Sequence, residues 1–366
     1  MNKLWSKQIR AVIRLEMKKT FFAKRGLWIY LLALAPVGLF FAHTLVEIHF
    51  RGVRHEMSQK TTRPLTEQDF SSIHDGMTRD DVVKLLGEPP VSRTGARRVR
   101  TGPHSFDQNS FESMRYSDGR TELIVNLEKG AVVGIGMSTG ASLGQDTYIF
   151  AGVFQFFFLR LAIFFGCLGI FMNLFRGEML DKSLHFYLLA PVRREVLLVG
   201  KYLAALLAAT VIFTTSVALQ LIALLSLYDS NIIANYLYQD HGWSQVIAYL
   251  GITILACVGY GSIFLAAGLF FRNPIIPAAF VLIWEAANPV LPSLLKQFSV
   301  IYYLRSLCPV DIPVDPGMPP LLALLISNAE PISAYVAVFG LLAVSVAILA
   351  GSMRRVRSLE INYTTE

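Results

Sequence analysis

YLAALLAATVIFTTSVALQLIALLSL, residues 202–227, runs for 26 residues without one charged side chain. A bilayer core about 30 Å thick is crossed by about 20 apolar residues of helix. This stretch is long enough to span, and Lys201 stands directly before it. Outward from it the same pattern recurs near residues 27–46, 149–175, 246–271, 275–291 and 332–352. The 366-residue chain is 54% hydrophobic and only 16% charged, where soluble domains carry about 25%. Mean hydropathy is +0.49. These features predict a mainly α membrane protein with a six-helix transmembrane domain: one helix at 27–46 and five within 148–353. The stretch 275–291 is short and ends in Asn288-Pro289, so it reads as broken, or as completed by a re-entrant piece within 292–330.

Lys and Arg near the spans set the orientation. They crowd residues 1–26, follow the second apolar run (Arg176, Lys182, Arg193, Arg194, Lys201), follow the fourth (Arg272) and close the chain (Arg354, Arg355, Arg357). The opposite loops, 228–245 and 292–330, hold only Lys296 and Arg305. Both termini are therefore predicted to be cytoplasmic, including the tail 354–366, with residues 47–147 on the other side of an inner (plasma) membrane. The first span has a 26-residue basic leader and a full-length apolar run, which reads as a signal anchor rather than a cleaved signal peptide. Within 1–26, Leu4, Trp5, Ile9, Val12, Ile13 and Leu15 alternate with cations, the pattern of a helix lying in the lipid interface. Net charge is +7; because its Lys and Arg flank the spans, membrane lipid is the partner it implies, not nucleic acid.

Residues 47–147 read as a small α+β unit. In HDGMTRDDVVKLLGEPP, residues 74–90, Thr78 and Asp81 suit a capping box. Gly87 suits a helix C-cap, with Pro89 blocking continuation. A basic loop over 92–105 is expected next, with Arg93, Arg97, Arg98 and Arg100. Three strands near 110–116, 121–127 and 131–137 are predicted, joined by turns at Ser117-Asp118-Gly119 and Glu128-Lys129-Gly130. Together with the later stretch MRYSDGRTELIVNLEKGAVVGIG, the segment resembles the SmpA/OmlA (BamE-like) lipoprotein domain over about 66–138. There is no lipobox cysteine. The resemblance implies an extracytoplasmic binding module with a periplasmic partner, in a Gram-negative envelope.

Residues 176–201, RGEMLDKSLHFYLLAPVRREVLLVGK, form the longest internal cytoplasmic loop. Leu184, Tyr187, Leu188 and Leu189 suggest a short amphipathic helix, stopped by Pro191. A topology signal needs only the cations, not Glu178, Asp181 and an apolar helix between them. The segment resembles the loop of ABC-type-2 permeases: Glu178 after the second span, the Leu-rich stretch, Pro191-Val192-Arg193-Arg194, and Gly200-Lys201 leading into the third. The resemblance covers about 1–46 and 148–353, and the large insert departs from the commonest pattern. It implies a permease subunit of an ATP-driven exporter, working by alternating access. Glu178, Asp181, Leu184, His185, Leu188, Leu189, Pro191, Arg193, Arg194 and Lys201 would couple it to the ATPase. No Walker A sequence occurs on the chain, so no cofactor is expected here. ATP and Mg would sit on a separate ATP-binding cassette subunit, and a second permease copy, as a homodimer, is implied.

Arg160 and Glu285 fall inside apolar runs, where charges mark function or a paired structural site. Arg160 lies about 24 Å of helix from Arg176 and Glu285 about 20 Å from Arg272, so both sit in the outer half at similar depth, where they either pair or meet solvated groups separately. Glu285, Asn288 and Pro289 are candidates to line a polar cavity. Cys167, Cys257 and Cys308 lack metal or disulfide spacing. His43, His49 and His55 share no helix face. Gly134 and Gly136 lead into a span, not a nucleotide-binding helix. No nucleophile–base set or interfacial polar cluster supports a membrane enzyme. The alternative to the exporter is a non-transporting envelope assembly or sensor protein acting through its outer domain, but an anchor needs one span rather than six.

Overall fold

A computed structural model describes residues 3–22, 26–60, 65–100, 106–180, 193–271, 275–312 and 332–357. The chain forms two compact units: Met1–Phe41 with Thr147–Glu366, and Ala42–Asp146.

The first unit is helical. α1 (Lys3–Phe22) precedes α2 (Leu27–Lys60). The second span, Leu143–Phe175, contains α5 (Leu143–Val153), a π-helical stretch Phe154–Ile163, and α6 (Phe164–Phe171); α7 (Asn173–Leu180) comes after it. Then come α8 (Arg194–Leu225), α9 (Ser230–Tyr238), α10 (Gly242–Phe270), α11 (Ile275–Ala287), α12 (Ser293–Lys296), α13 (Val300–Ser306) and α14 (Ala334–Arg357).

Among the described residues, five helices are long and apolar enough to cross a membrane: α2, Leu143–Phe175, α8, α10 and α14. The sixth expected span, at 275–291, is not confirmed among the described residues. α11 has 13 residues, about 20 Å at 1.5 Å per residue, short of the hydrocarbon core. Pro289 disfavours helical backbone at the residue before it and supplies no amide donor. The chain accordingly tightens into a 3₁₀ turn, Asn288–Val290, and doubles back through α12 and α13.

Apolar surface alone does not hold helices together in lipid; close packing at small residues does. A Cβ at Gly261 would lie 2.6 Å from Phe171, and one at Gly268 would lie 2.7 Å from the Met172 carbonyl oxygen. α10 therefore meets the second span almost backbone to backbone. Between them, Phe150 and Phe154 meet Tyr249 edge-on at 4.9 and 4.8 Å. Gly268→Ala is expected to cost about 1–3 kcal/mol by overpacking against immovable backbone, read as a lowered thermal midpoint in detergent. An unchanged midpoint would contradict this packing.

In the second unit, α3 (Glu67–Ser71) and α4 (Arg79–Leu86) precede an antiparallel sheet in the order β1 (Val91–Arg100), β2 (Phe106–Ser117), β3 (Thr121–Glu128), β4 (Ala131–Thr139). Four strands replace the expected three. The segment read as a basic loop is β1, paired along its whole length from Val91 opposite Arg115 to Arg100 opposite Phe106. The capping box forms: the Asp81 amide donates to Thr78 Oγ1, and Thr78 donates to the Asp81 carboxylate at 2.6 Å. Those bonds to the ionised form hold the Asp81 carboxyl below its ordinary range. Gly87 has φ +84° but extended ψ rather than a left-handed helical cap. Lys129 and Gly130 both take positive φ, as a tight hairpin requires. Leu123, Val125 and Leu127 face inward onto Val82, Leu86 and Tyr116, and the Tyr116 hydroxyl donates to the Gly87 carbonyl at 3.0 Å. Burial pushes the Tyr116 phenol up. The helix that carries the first apolar run, α2, continues past residue 46 to Lys60. On it, Arg54 pairs with Glu47, and Glu47 accepts the Ala141 amide at 3.3 Å where the chain leaves the sheet.

Candidate functional site

Of the described flanks of the loop 176–201, the end of the second span reaches Lys201 through the Leu174 carbonyl, while the start of α8 is held by α1 and α14. Asp181, Leu184, His185, Leu188, Leu189 and Pro191 lie outside the described residues. Glu178 sits on α7, two residues before its end. Arg193 is the N-cap residue of α8 and its guanidinium lies over the Trp5 ring at 5.4 Å. Arg194 donates to the Arg357 carbonyl at 3.0 Å, and Glu195 pairs with the Arg357 side chain. The start of α8 is thereby joined to α1 and to the end of α14.

The sequence places Lys201 at the membrane interface, facing the ATPase. It is instead fully buried. Its Nζ donates to Glu16 Oε1 at 2.7 Å and to the Leu174 carbonyl at 3.3 Å, and lies 5.7 Å from the Phe175 ring centre. The physical reason is Gly200. A Cβ there would come within 2.9 Å of Val12 Cγ1, so its absence lets α1 lie against α8 and roof over the ammonium. A buried charge demands a partner, and Glu16, 4% exposed, supplies it from 185 residues away.

Glu285 and Arg160 stand apart from this node in role. The Glu285 carboxylate accepts from Ser299 Oγ at 2.9 Å, the Val300 amide at 2.9 Å and the Ile301 amide at 2.8 Å. It thus caps the N-terminus of α13, satisfying donors a helix start leaves open. Fully buried Tyr260 on α10 also interacts with this carboxylate. Arg160, in the π-helical stretch, lies 5.6 Å from the Phe156 ring centre. Asn288 is buried, with Nδ2 lacking a hydrogen-bond partner among the described residues. Glu285 borders a cavity of about 220 Å³ whose other walls are Ile263, Phe280, Val281, Trp284 and Phe298; apart from Glu285, it is not the polar cavity expected there. A larger apolar cavity of about 420 Å³ lies between Trp28, Phe165, Met172, Ala278 and Leu282. Among the described residues no group of His, Cys, Asp and Glu could hold a metal.

The node ties a basic leader helix to the spans on either side of a loop that carries the permease pattern. The profile of the ABC-2 family transporter protein domain matches residues 11–284, three quarters of the chain, including that loop. The chain belongs to the ABC-2 transporter family. No curated protein and no solved structure matches it significantly. Permeases of this family are membrane transport components rather than enzymes, and membership implies an ATP-binding cassette partner in general. The family and the five apolar helices make this a multi-pass membrane protein.

Sequence reasoning named Lys201 but missed Glu16. The available signal was that Glu16 is the sole acidic residue among the cations of residues 1–26.

Proposed function

We propose that this permease is the transmembrane subunit of an ATP-driven exporter, coupled through residues 176–192 to a separate ATPase and working as a homodimer by alternating access. The observation that carries the proposal is the family match across the loop, together with the Lys201 bond to the Leu174 carbonyl at the loop's other flank and the Arg193 contact with Trp5 on α1. A loop that only signalled topology would need its cations in solvent, not a buried ammonium bonded to the end of the preceding span. In this reading both termini are cytoplasmic, ATP and Mg reside on the partner, and Glu178, Arg193 and Arg194 lie where the ATPase docks. In the same reading the insert is extracytoplasmic, and its BamE-like character rests on the sequence resemblance over about 66–138 alone.

The test is co-purification in detergent of the tagged wild type and of a Glu178→Lys, Arg193→Glu variant. An ATP-binding subunit is expected with the wild type and lost from the variant. A folded, abundant wild type that brings down no such subunit would overturn the exporter reading.

A further inference from the structure

Lys201 does more in this fold than a loop cation needs to, and its contacts belong to a continuous seam. On α1, Trp5, Ile9, Val12 and Glu16 recur at helical spacing and share one face. All four meet the stretch from Arg193 to Lys201. Trp5 lies under Arg193, the Ile9 carbonyl and Val12 side chain close over Gly200, and Glu16 reaches Lys201. Lys7, Arg10 and Arg14 point away from this seam, and all three are exposed. The two helices run parallel, because residue numbers rise together along the seam. Three contacts spread over 12 residues of α1, one of them a buried ion pair, oppose pivoting about any single point. Lys201 also bonds the Leu174 carbonyl at the other flank of the loop.

We propose that Gly200 and Lys201 are the seat of α1 and act as positioning residues: α1 does not hinge on the bundle but moves as one body with α8. This rests on the exporter reading and deepens it. A displacement of the loop 176–192 would reach α1, α8 and the end of the second span together, through one ammonium group.

The seam can be locked covalently. A Cβ at Gly200 would sit 3.0 Å from Val12 Cβ, short of the separation of about 3.5–4.5 Å found across disulfides, so the two helices part by about half an ångström to accept the bond while the seam stays in register. The experiment uses Val12→Cys with Gly200→Cys in a chain also carrying Cys167→Ala, Cys257→Ala and Cys308→Ser, as the full complex with its ATPase. A copper–phenanthroline oxidant removes two electrons and two protons from the thiol pair. Near-complete cross-linking is expected, with permease-stimulated ATP hydrolysis unchanged on oxidation. Two results would overturn the seat: no cross-link in a folded complex, or stimulation that is lost on oxidation and restored by dithiothreitol, which would mean that α1 has to slide or swing on α8. If that variant does not fold, hydrogen exchange on the wild-type complex decides instead: protection across residues 5–16 and 194–201 that holds through the ATP cycle supports the seat, and protection lost from α1 alone overturns it. If no ATPase subunit accompanies the chain, the exporter reading fails, while cross-linking of the bare chain still decides whether α1 is seated.

Discussion

Lys201→Met alone is expected to sharply reduce the folded fraction in detergent, and adding Glu16→Leu is expected to restore most of it. The ammonium is fully buried and Glu16 nearly so. Removing one member of such a pair leaves the other buried without its ion-pair partner, at a cost of roughly 3–5 kcal/mol. Replacing both with apolar side chains of similar size removes both buried charges, and such replacements are often neutral. The double variant still forfeits the bond to the Leu174 carbonyl, about 1 kcal/mol, so recovery should be large but incomplete. Thermal midpoints of all four proteins, measured by fluorescence-detected gel filtration, give the coupling from a double-mutant cycle. A single variant as stable as the wild type would mean that the pair is not buried as described.

The second large effect is expected at Glu285. Glu285→Ala leaves the Ser299 hydroxyl and the Val300 and Ile301 amides without their acceptor. Each unsatisfied buried donor costs about 1–3 kcal/mol, so destabilisation of several kcal/mol is expected if none finds a substitute. The loss should be local. Hydrogen exchange at residues 300–306 should accelerate strongly, while exchange across β2 and β3, in the other compact unit, stays as in the wild type. Glu285→Gln, which keeps one carbonyl acceptor, should fall between. Unaltered protection of Val300 and Ile301 in Glu285→Ala would refute the capping role.

Much of this architecture is written locally in the chain. The long apolar runs, the Thr78–Asp81 box and the Lys129-Gly130 turn depend on neighbours a few residues apart. The missed features do not. β1 is rich in Arg and Gly rather than apolar alternation, and becomes a strand because β2 offers it a complete ladder. α2 continues past residue 46 through charged residues that a hydropathy window ends on. Asn288-Pro289 hints that 275–291 does not span, yet the course of the chain beyond that turn is fixed by Glu285 holding α13, a contact across 14 to 16 residues of chain. The seat at Gly200-Lys201 needed Glu16. The loop motif itself was legible, but not that its last residue faces inward.

Nothing in the sequence of the second span betrays that residues 154–163 wind with i→i+5 rather than i→i+4 bonds. Such winding turns the chain less per residue, so the faces of the span before and after it fall out of phase. The span behaves like a cable spliced with a slack turn. A residue gained or lost by mutation can be absorbed there, by converting π winding to α or extending it, without lengthening the helix or displacing its ends. Lineages of this protein are therefore free to rotate which side chains around Arg160 look inward while the loop beyond Phe175 stays in place. Single-residue insertions and deletions among related chains should collect in this stretch and be absent from α8 and α10.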